Sequence, residues 1–478
     1  MDNRQQDGGA PHSLSAGVAQ VEITPPPGTH LAGGINVFRP AQKVVDPLYA
    51  KALVLQAGGR KLCFVSLDLV LVVRGYTERI RQAAAQRCGL EAEAVMVHAT
   101  QTHSAPSLGY VMLDEDFGPI PSEAEWLRGA QIEYCEFALE RIIQAIVEAN
   151  DNLQPAQVGA ASGIEGRMAF NRRAILRDGT ALRWLPFRPD ENPLGPVHIL
   201  QVEGPIDPEL GVLGIRNAQG FMAMLLSYTC HPMNVFARHG EMAVSAEWCG
   251  ALADEMRQTY GSACIPLVLN GACGNIGPFP AFDTGYPLDP TDHRAMGRVL
   301  AETARKVITS LSFEDDITLD WKTQMVRLPL RAADPAQLAA DRQMIQDHPQ
   351  PPWADEERTS VREDWMLAAS RLSAHLQQQR EGDIDYEIQV LRVGKVAFVG
   401  LPGEPFVEGG LRIKEASPFY PTYIVHCVTQ YVGYLPVREA FARGGHEVDY
   451  AYWAKVEPGC LETVVQNAIT LLHELKER

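Results

Sequence analysis

Apolar and polar positions alternate along several short segments, and this spacing predicts β-strands. The segment AGVAQVEI ends at Ile23, before three prolines, so we expect a strand that leads into a loop. Two more strands are predicted in YAKALVLQAGGRKLCFVSLDLV, with a turn at Gly58 and Gly59 between them. The segment ITLDWKTQMVRLPL alternates in the manner of an antiparallel strand with one solvated face.

Helical spacing of apolar residues separates these strands. It is clear in IEYCEFALERIIQAIVEAN, in DHRAMGRVLAETARKVITSL and in LETVVQNAITLLHELKE. Because strands and helices interleave throughout, the pattern predicts an α/β fold with one large mixed-sheet domain over residues 15–478. Residues 1–14 are expected to be a flexible tail, and residues 333–381 a polar helical excursion on the surface.

Composition and charge argue against several classes of function. The 478 residues are 46% hydrophobic and carry a net charge of −17 with no long basic run, so we expect no nucleic-acid partner. No window approaches the roughly 18 apolar residues that span a bilayer, and the first residues lack a signal-peptide pattern. The nine cysteines are scattered and form no CxxC pair, which indicates reduced thiols. These features predict a cytoplasmic protein without stable membrane insertion.

Four apolar strands run directly into loops with polar residues: VMVHATQTHSAPS, LLSYTCHPMNV, VLNGACGNIGP and FVGLPGEPF. Strand ends are where α/β proteins collect functional side chains. In the first loop Gln101 and His103 share one face of an extended chain, which would suit a metal site as well as a solvated histidine. His231 precedes a proline at a strand end. Glu404 would need a partner if buried, and the alternative is a helix N-cap.

The loop LNGACGNIGP crowds three glycines around Cys273. Such a loop lets a ligand approach the backbone, so the thiol is either buried filler or part of a reactive site. The loop TQYVGYLP follows another apolar strand and contains Tyr434, which taken alone would be a packed aromatic residue. No GxSxG, HExxH, Walker A or GxGxxG motif occurs in a supporting context.

Taken in order, these segments resemble the neutral (non-lysosomal) ceramidase family, zinc-dependent amidases that cleave the N-acyl bond of ceramide. ATQTHSAPS resembles the family's THTHSGP, NRRA its NRSP, SYTCHPMNV its AVHP, NGACGNIGP its NSGNLSP-like loop, LPGEPF its IPGEF and QYVGYLPVREAF its THYITTYEEY. The opening segments AGVAQVEITPPPGTHLAGG, DPLYAKALVLQ and CFVSLDLV are similar to the start of its catalytic domain. The resemblance covers nearly the whole chain.

The resemblance implies a zinc site. Three of the family's four ligands correspond to His231, Glu404 and Tyr434, whereas the fourth, the first histidine of HTH, corresponds to Gln101. An amide oxygen is a much poorer zinc ligand than imidazole. We therefore favour a metal set of His103, His231 and Glu404, completed by Tyr434 or water, with Gln101 left to contact substrate.

Other roles follow from the same resemblance. His103 corresponds to a histidine that faces substrate, so it is also a candidate proton shuttle. Arg172 corresponds to the arginine of NRSP, and with Tyr434 it would orient the substrate oxygen. Cys273 falls where ceramidases carry a serine implicated in catalysis, and it would either act as a nucleophile or, as we favour, line the pocket.

The glycine-rich loop supplies the remaining candidates. Asn270, Gly271, Asn275 and the backbone amides after Cys273 would bind substrate or donate hydrogen bonds to a developing oxyanion.

Three hypotheses remain open at this stage. The first is a zinc-dependent hydrolase of a C–N amide bond. The second is an ester, lactone or other acyl hydrolase that uses Cys273, and the third is a metal-free binding protein. Because the chain ends soon after the Tyr434 segment, we expect a small soluble substrate rather than a membrane lipid. Homo-oligomeric assembly is left open.

Overall fold

The computed structural model describes residues 13–118, 120–183, 198–238, 241–282 and 287–478. Its strands are β1 Ser15–Glu22, β2 Lys43–Val44, β3 Tyr49–Ala57, β4 Arg60–Leu67, β5 Val95–Ala99, β6 Gln154–Pro155, β7 Gln157–Ile164, β8 Phe170–Asn171, β9 Ala174–Leu176, β10 Ile199–Val202, β11 Glu209–Asn217, β12 Gly220–Tyr228, β13 Ala243–Val244, β14 Ile265–Asn270, β15 Ile276–Gly277, β16 Leu319–Pro329, β17 Asp383–Val393, β18 Val396–Gly400, β19 Glu404–Pro405, β20 Thr422–Val425 and β21 Tyr434–Leu435. Its helices are α1 Arg74–Cys88, α2 Ile132–Asp151, α3 Glu247–Tyr260, α4 His293–Ile308, α5 Pro335–Asp347, α6 Glu363–Glu381, α7 Val407–Ala416 and α8 Cys460–Lys476.

Most of these strands form three sheets. The first has the order β5-β4-β3-β1-β6, the second β14-β12-β11-β7 and the third β16-β17-β18-β20. Each sheet is mainly antiparallel and contains one parallel pair: β4 with β5, β12 with β14, and β18 with β20. The predicted turn at Gly58 and Gly59 joins β3 to β4, and a turn at Gly394 joins β17 to β18.

The three sheets share one apolar core. Leu53 and Phe64 from the first sheet, Leu225 from the second, and Phe398 and Tyr423 from the third belong to the same buried cluster. The rings of Phe64 and Phe398 meet edge to face, with centroids 4.8 Å apart. Strands with both faces covered read as nearly continuous apolar runs, which explains the composition of β3 and β4.

Helices cover the outer face of each sheet. α1 and α2 lie against the first sheet, α3 and α4 against the second, and α7 and α8 against the third. The predicted mixed α/β architecture is confirmed. Residues 1–12 of the predicted tail lie outside the described residues. None of the helices in the described ranges has the length and hydropathy that a bilayer crossing requires.

The predicted helical excursion is also confirmed, as the pair α5 and α6. The segment between the two helices is fixed to the loop before β2. Phe38 N donates to Thr359 O at 2.7 Å, and Val361 N donates to Asn36 O at 2.9 Å. Glu363, at the start of α6, lines the cavity described below, so the excursion contributes one of its walls.

The topology brings the candidate loops together. The parallel strands β5, β12, β14, β18 and β20 are each followed by a loop that carries a site residue. Parallel neighbours end at the same edge of a sheet, and the three sheets meet at a common core. Three parallel pairs therefore deliver side chains from distant parts of the chain to one place.

Candidate active site

A cavity of about 730 Å³ lies at these strand ends. Five of the residues predicted from sequence line it: Gln101, His103, Arg172, Glu404 and Tyr434. His231 lies directly behind this wall, in contact with Glu404. The volume is within the range of ligand pockets in proteins, roughly 300–1,000 Å³.

His103 and His231 each have one ring nitrogen without a hydrogen-bond partner. Nδ1 of His231 lies 2.7 Å from the carbonyl oxygen of Cys273, and Nδ1 of His103 lies 3.2 Å from that of Gly33. A carbonyl oxygen only accepts, so each Nδ1 carries the proton and each Nε2 keeps a lone pair. Neither Nε2 has a hydrogen-bond partner, and the two ring centroids are 5.4 Å apart.

Electrostatics keep both rings neutral. Burial and the nearby Arg172 cation lower the pKa of His231. Burial also lowers the pKa of His103 well below its ordinary value, with smaller contributions from His231 and Arg172. Uncharged imidazole with a free lone pair is the form that binds metal ions.

Glu404 faces His231 as a second acceptor. Oε2 of Glu404 lies 3.3 Å from Nε2 of His231 and has no hydrogen-bond partner. Burial opposes ionisation of Glu404, but contacts with His231, Arg172 and Gln101 hold the pKa of its carboxyl below the ordinary value. A carboxylate oxygen and an imidazole lone pair repel each other unless a cation lies between them. The predicted N-cap role is not found, because the N-cap of α7 is Phe406.

The donor chemistry of this arrangement fits zinc. His103, His231 and Glu404 together offer two imidazole nitrogens and one carboxylate oxygen, the set of His₂Glu zinc sites. Each histidine also donates its other N–H to a backbone carbonyl, as metal-binding histidines commonly do. No group of three or more His, Cys, Asp or Glu side chains in the described ranges is arranged to hold an ion as it stands. The set fits zinc by its chemistry and its three unpartnered atoms.

A second cluster carries charge on the same wall. Nη2 of Arg172 donates to the hydroxyl of Tyr434 at 3.0 Å, and Nε of Arg172 donates to Glu447 at 2.9 Å. Glu447 also accepts from Arg173 at 2.8 Å. Burial opposes ionisation of Glu447, but the two guanidinium groups lower the pKa of its carboxyl to about 2. Burial and the Glu404 charge raise the pKa of Tyr434, so its phenol keeps the proton.

Cys273 lies behind the cavity wall. Its side chain is fully buried and is absent from the lining. Its sulfur lies 3.7 Å from Oε1 of Gln101, and 3.6 and 3.7 Å from the two ring nitrogens of His426. Burial raises the pKa of the Cys273 thiol and lowers the pKa of His426, so both groups are held neutral. A thiolate–imidazolium pair, which activates cysteine nucleophiles, is disfavoured here.

The polar side chain and the glycines next to Cys273 contact neighbouring loops of the protein. Asn270 donates to the carbonyl oxygens of Thr100 and Cys230 at 3.0 and 2.9 Å and accepts from the amide of Cys230. A Cβ at Gly271 would overlap the Thr229 side chain, and a Cβ at Gly274 would overlap the Glu404 carbonyl. The glycines thus allow close backbone contact with the loops that carry Thr229 and Glu404.

The Asn275 side chain also forms hydrogen bonds within the protein. Its amide nitrogen donates to Glu408 at 3.0 Å, and its oxygen accepts from Val407 N at 2.9 Å. Neither Asn270, Gly271 nor Asn275 lines the cavity in the described part of the chain. Their assignment to substrate binding stays a prediction.

Sequence reasoning missed several residues of the site. Tyr431 donates to Oε1 of Glu404 at 3.2 Å, and His426, Glu447 and Arg173 have the contacts given above. Tyr431 and His426 follow the apolar strand β20, so the strand-end rule that found the other loops could have found them. Glu447 follows no strand, and its sequence neighbourhood carries no comparable signal.

Comparison with known proteins supports the resemblance seen in the sequence. No protein-family model and no curated protein matches the chain. The fold is similar to that of neutral ceramidase from Pseudomonas aeruginosa, with a TM-score of 0.70 and 18% identity over 98% of this chain and 75% of that one. A ceramidase complexed with C2 gives the same TM-score and identity, over 98% of this chain and 76% of its own. This chain has the neutral ceramidase fold.

The neutral ceramidase fold accounts for the placement of the motif residues. The resemblance assigns zinc ligands to four positions. Three of them, Gln101, Glu404 and Tyr434, line the cavity, and the fourth, His231, contacts Glu404 from behind the wall. Glu404 and Tyr434 are register partners in the parallel pair β19 and β21, which fixes their separation. At 18% identity the similarity establishes the fold, and the chemistry depends on the residues at the site.

Proposed function

We propose that this chain is a zinc-dependent hydrolase that cleaves the C–N amide bond of a small substrate bound in the cavity. One observation carries the proposal. Nε2 of His103, Nε2 of His231 and Oε2 of Glu404 are buried acceptors without hydrogen-bond partners beside the same cavity. Unpaired buried acceptors are costly, and a bound cation would satisfy all three. The ceramidase fold supports the same reaction class.

His103, His231 and Glu404 would hold the metal. Zinc, when bound, supplies a Lewis acid that polarises a carbonyl group and acidifies water. Since an imidazole nitrogen has one lone pair, Nε2 of His103 cannot both bind the metal and accept a proton. We therefore assign His103 to the metal set rather than to proton transfer.

Arg172 and Tyr434 would orient the substrate oxygen. The hydroxyl oxygen of Tyr434 accepts from Arg172, which leaves the O–H of Tyr434 free to donate into the cavity. Arg172 remains charged because Glu447 pairs with it. A phenol backed by a cation is a strong donor toward a carbonyl oxygen that gains negative charge.

The rest of the cavity would bind the acyl part of the substrate. Phe236, Met233, Met112 and Leu71 contribute apolar side chains to its walls. Apolar walls bind a hydrocarbon substituent and exclude bulk water, which strengthens the electrostatic contacts at the reacting bond. Methionine side chains adapt to substituents of different shape.

A Cys273-dependent acyl hydrolase is the second candidate. Its thiol is buried behind Gln101 and neutral, so a substrate would need a displaced side chain to reach it. The burial of this thiol therefore favours the metal-dependent reaction over the Cys273-dependent one. The third candidate is a metal-free binding protein. It would leave Nε2 of His103, Nε2 of His231 and Oε2 of Glu404 buried without a bound cation to satisfy them.

Elemental analysis tests the proposal. We compare the purified wild type with His231→Ala, Glu404→Ala and a control, His473→Ala, which removes an exposed histidine far along α8. Wild type and control are expected to contain about one zinc per chain, and the two site variants little or none. Hydrolysis of a panel of N-acyl amides should stop with a chelator and return with zinc. A metal-free wild type, or activity that survives chelation, would overturn the proposal.

A further inference from the structure

Arg39 is a buried cation on the cavity wall, and no carboxylate in the described ranges forms an ion pair with it. Two arginines of the same wall have such a partner: Arg172 pairs with Glu447, and Arg183 lies 3.9 Å from Asp449. A guanidinium group stays charged in proteins, and a buried charge is costly unless it is paired. The positive charge of Arg39 therefore lacks a direct counter-charge.

Contacts within the protein fix the Arg39 side chain but use only part of it. Nη1 donates to the carbonyl oxygens of Ala32 and His103 at 3.1 and 2.8 Å. The guanidinium group lies over the Phe236 ring, with Cζ 4.5 Å from the centroid. Nε and Nη2 have no hydrogen-bond partner among the described residues, and neither atom is sealed from solvent. These two nitrogens form one edge of the guanidinium group, the edge that binds both oxygens of a carboxylate.

Glu247 exerts an electrostatic influence on Arg39, but its oxygens are used elsewhere. Oε1 of Glu247 accepts from Oγ of Ser104 at 2.6 Å and from Phe236 N at 3.0 Å. Oε2 accepts from Val235 N at 2.5 Å. These bonds fix the backbone at Phe236, and so they hold the ring against which Arg39 packs. The free edge of Arg39 remains without a carboxylate.

This edge lies near the candidate metal residues. The Phe236 ring that contacts Arg39 also meets the His103 ring edge to face, with centroids 5.2 Å apart. Arg39, Phe236 and His103 all line the cavity. A small molecule whose amide lies at His103 would therefore extend past Phe236 to Arg39.

We propose that Arg39 binds a carboxylate group of the substrate, so that the enzyme selects N-acyl amides with a negative charge near the scissile bond, such as N-acyl amino acids. This inference rests on the proposed function and specifies its substrate class. One guanidinium group supplies one positive charge, which matches a carboxylate better than a phosphate dianion. The carboxylate belongs to either the amine part or the acyl part, and two series of substrates distinguish these cases.

Matched substrate pairs test the inference. N-octanoylglycine and N-octanoylglycinamide differ in a carboxylate on the amine part, and N-succinyl- and N-butyrylbenzylamine differ in one on the acyl part. In one series, kcat/KM of the wild type is expected to be about tenfold or more higher for the anionic member, as a charge-assisted bidentate contact predicts. Arg39→Met should abolish this preference. The control Arg183→Met removes a cavity arginine that already has a carboxylate nearby, and it should keep the preference.

The ratio of the two kcat/KM values separates recognition of the charge from structural damage. Arg39→Met also removes a donor to the His103 carbonyl, but a distorted site would slow both members of a pair alike. Arg39→Lys, which keeps the charge and loses the paired N–H groups, should give an intermediate ratio, and it replaces Arg39→Met if that variant does not fold. The inference is overturned if the wild type shows no anionic preference in either series, or if the preference survives in Arg39→Met.

Failure of the proposed function has a different signature. If the wild type hydrolyses none of the four compounds, the same pairs are compared as ligands by isothermal titration calorimetry. Tighter binding of an anionic member that is lost in Arg39→Met would support the carboxylate site without the reaction. Equal affinities for the two members of both pairs would overturn it.

Discussion

Nη2 of Arg172 donates to the hydroxyl oxygen of Tyr434 at 3.0 Å, and this contact leaves the phenolic proton of Tyr434 available to the cavity. The guanidinium group also lies over the Tyr434 ring, with Cζ 5.6 Å from the ring centroid. Glu447 balances the charge of Arg172 through an ion pair with Nε of the guanidinium group. The pair therefore provides a rigid donor beside the candidate metal residues.

Removal of the Tyr434 hydroxyl tests this donor. We expect Tyr434→Phe to lower kcat by about 10²-fold, because loss of one donor to a developing oxyanion has that effect in other enzymes. Zinc content should not change, since His103, His231 and Glu404 would still hold the metal. The measurements are kcat on N-acyl amides and elemental analysis, with Tyr420→Phe as the control at an 82% exposed tyrosine. Loss of zinc in Tyr434→Phe would instead make Tyr434 a ligand.

Stability at acid pH should depend on Glu447. Its pKa is about 2 in the folded protein against an ordinary value of 4.5, so its contribution is complete above about pH 4.5 and is lost as the pH falls toward 2. This corresponds to about 3 kcal/mol. Glu447→Gln should reduce the free energy of unfolding at pH 7, and the deficit should shrink between pH 4.5 and 2.

Urea unfolding at pH 7, 5 and 3 provides the measurement for Glu447. Glu140→Gln serves as the control, because Glu140 is an exposed carboxylate on α2. A difference between Glu447→Gln and the wild type that stays constant over this pH range would show that the Arg172 and Arg173 contacts do not hold the carboxylate ionised.

The thiols should be unreactive in the native protein. All nine cysteines are free and buried, and burial raises the pKa of Cys273 in particular. With an aromatic disulfide reagent we expect no fast-reacting thiol before denaturation and nine after it. A single fast thiol that disappears in Cys273→Ser, but not in the control Cys135→Ser, would favour the nucleophile hypothesis for Cys273.

The fold was predictable where local pattern decides structure. The alternation in β1, β3, β4 and β16 and the helical spacing in α2 appear where the sequence places them, because these segments bury one face or both. The arrangement of three sheets around one core was not predictable from periodicity. It depends on pairings between strands that are far apart in the chain.

The site was predictable to a similar extent. Strand ends followed by polar residues located Gln101, His103, His231 and Glu404, since parallel strands deliver their ends to one edge. Glu447 was missed because its role comes entirely from Arg172 and Arg173, which lie in a different segment.

Close packing of the glycine-rich loop gives the last prediction. A Cβ at Gly271 would overlap Oγ1 of Thr229, and the loop is buried on both sides. Gly271→Ala should lower the free energy of unfolding by about 2–3 kcal/mol, as overpacked cores do. Gly75→Ala is the matched control, because a Cβ there meets open space on α1, and it should be neutral or stabilising by up to about 1 kcal/mol.

Gly271→Ala should also affect the candidate metal site. The loop that contains Gly271 also supplies the Cys273 carbonyl, which fixes the ring of His231 through Nδ1. If Gly271→Ala displaces this carbonyl, zinc affinity should fall together with stability, and Thr229→Gly in the same chain should restore part of both. Stability and zinc affinity equal to those of the wild type would show that the loop can move without cost, and that His231 does not depend on its position.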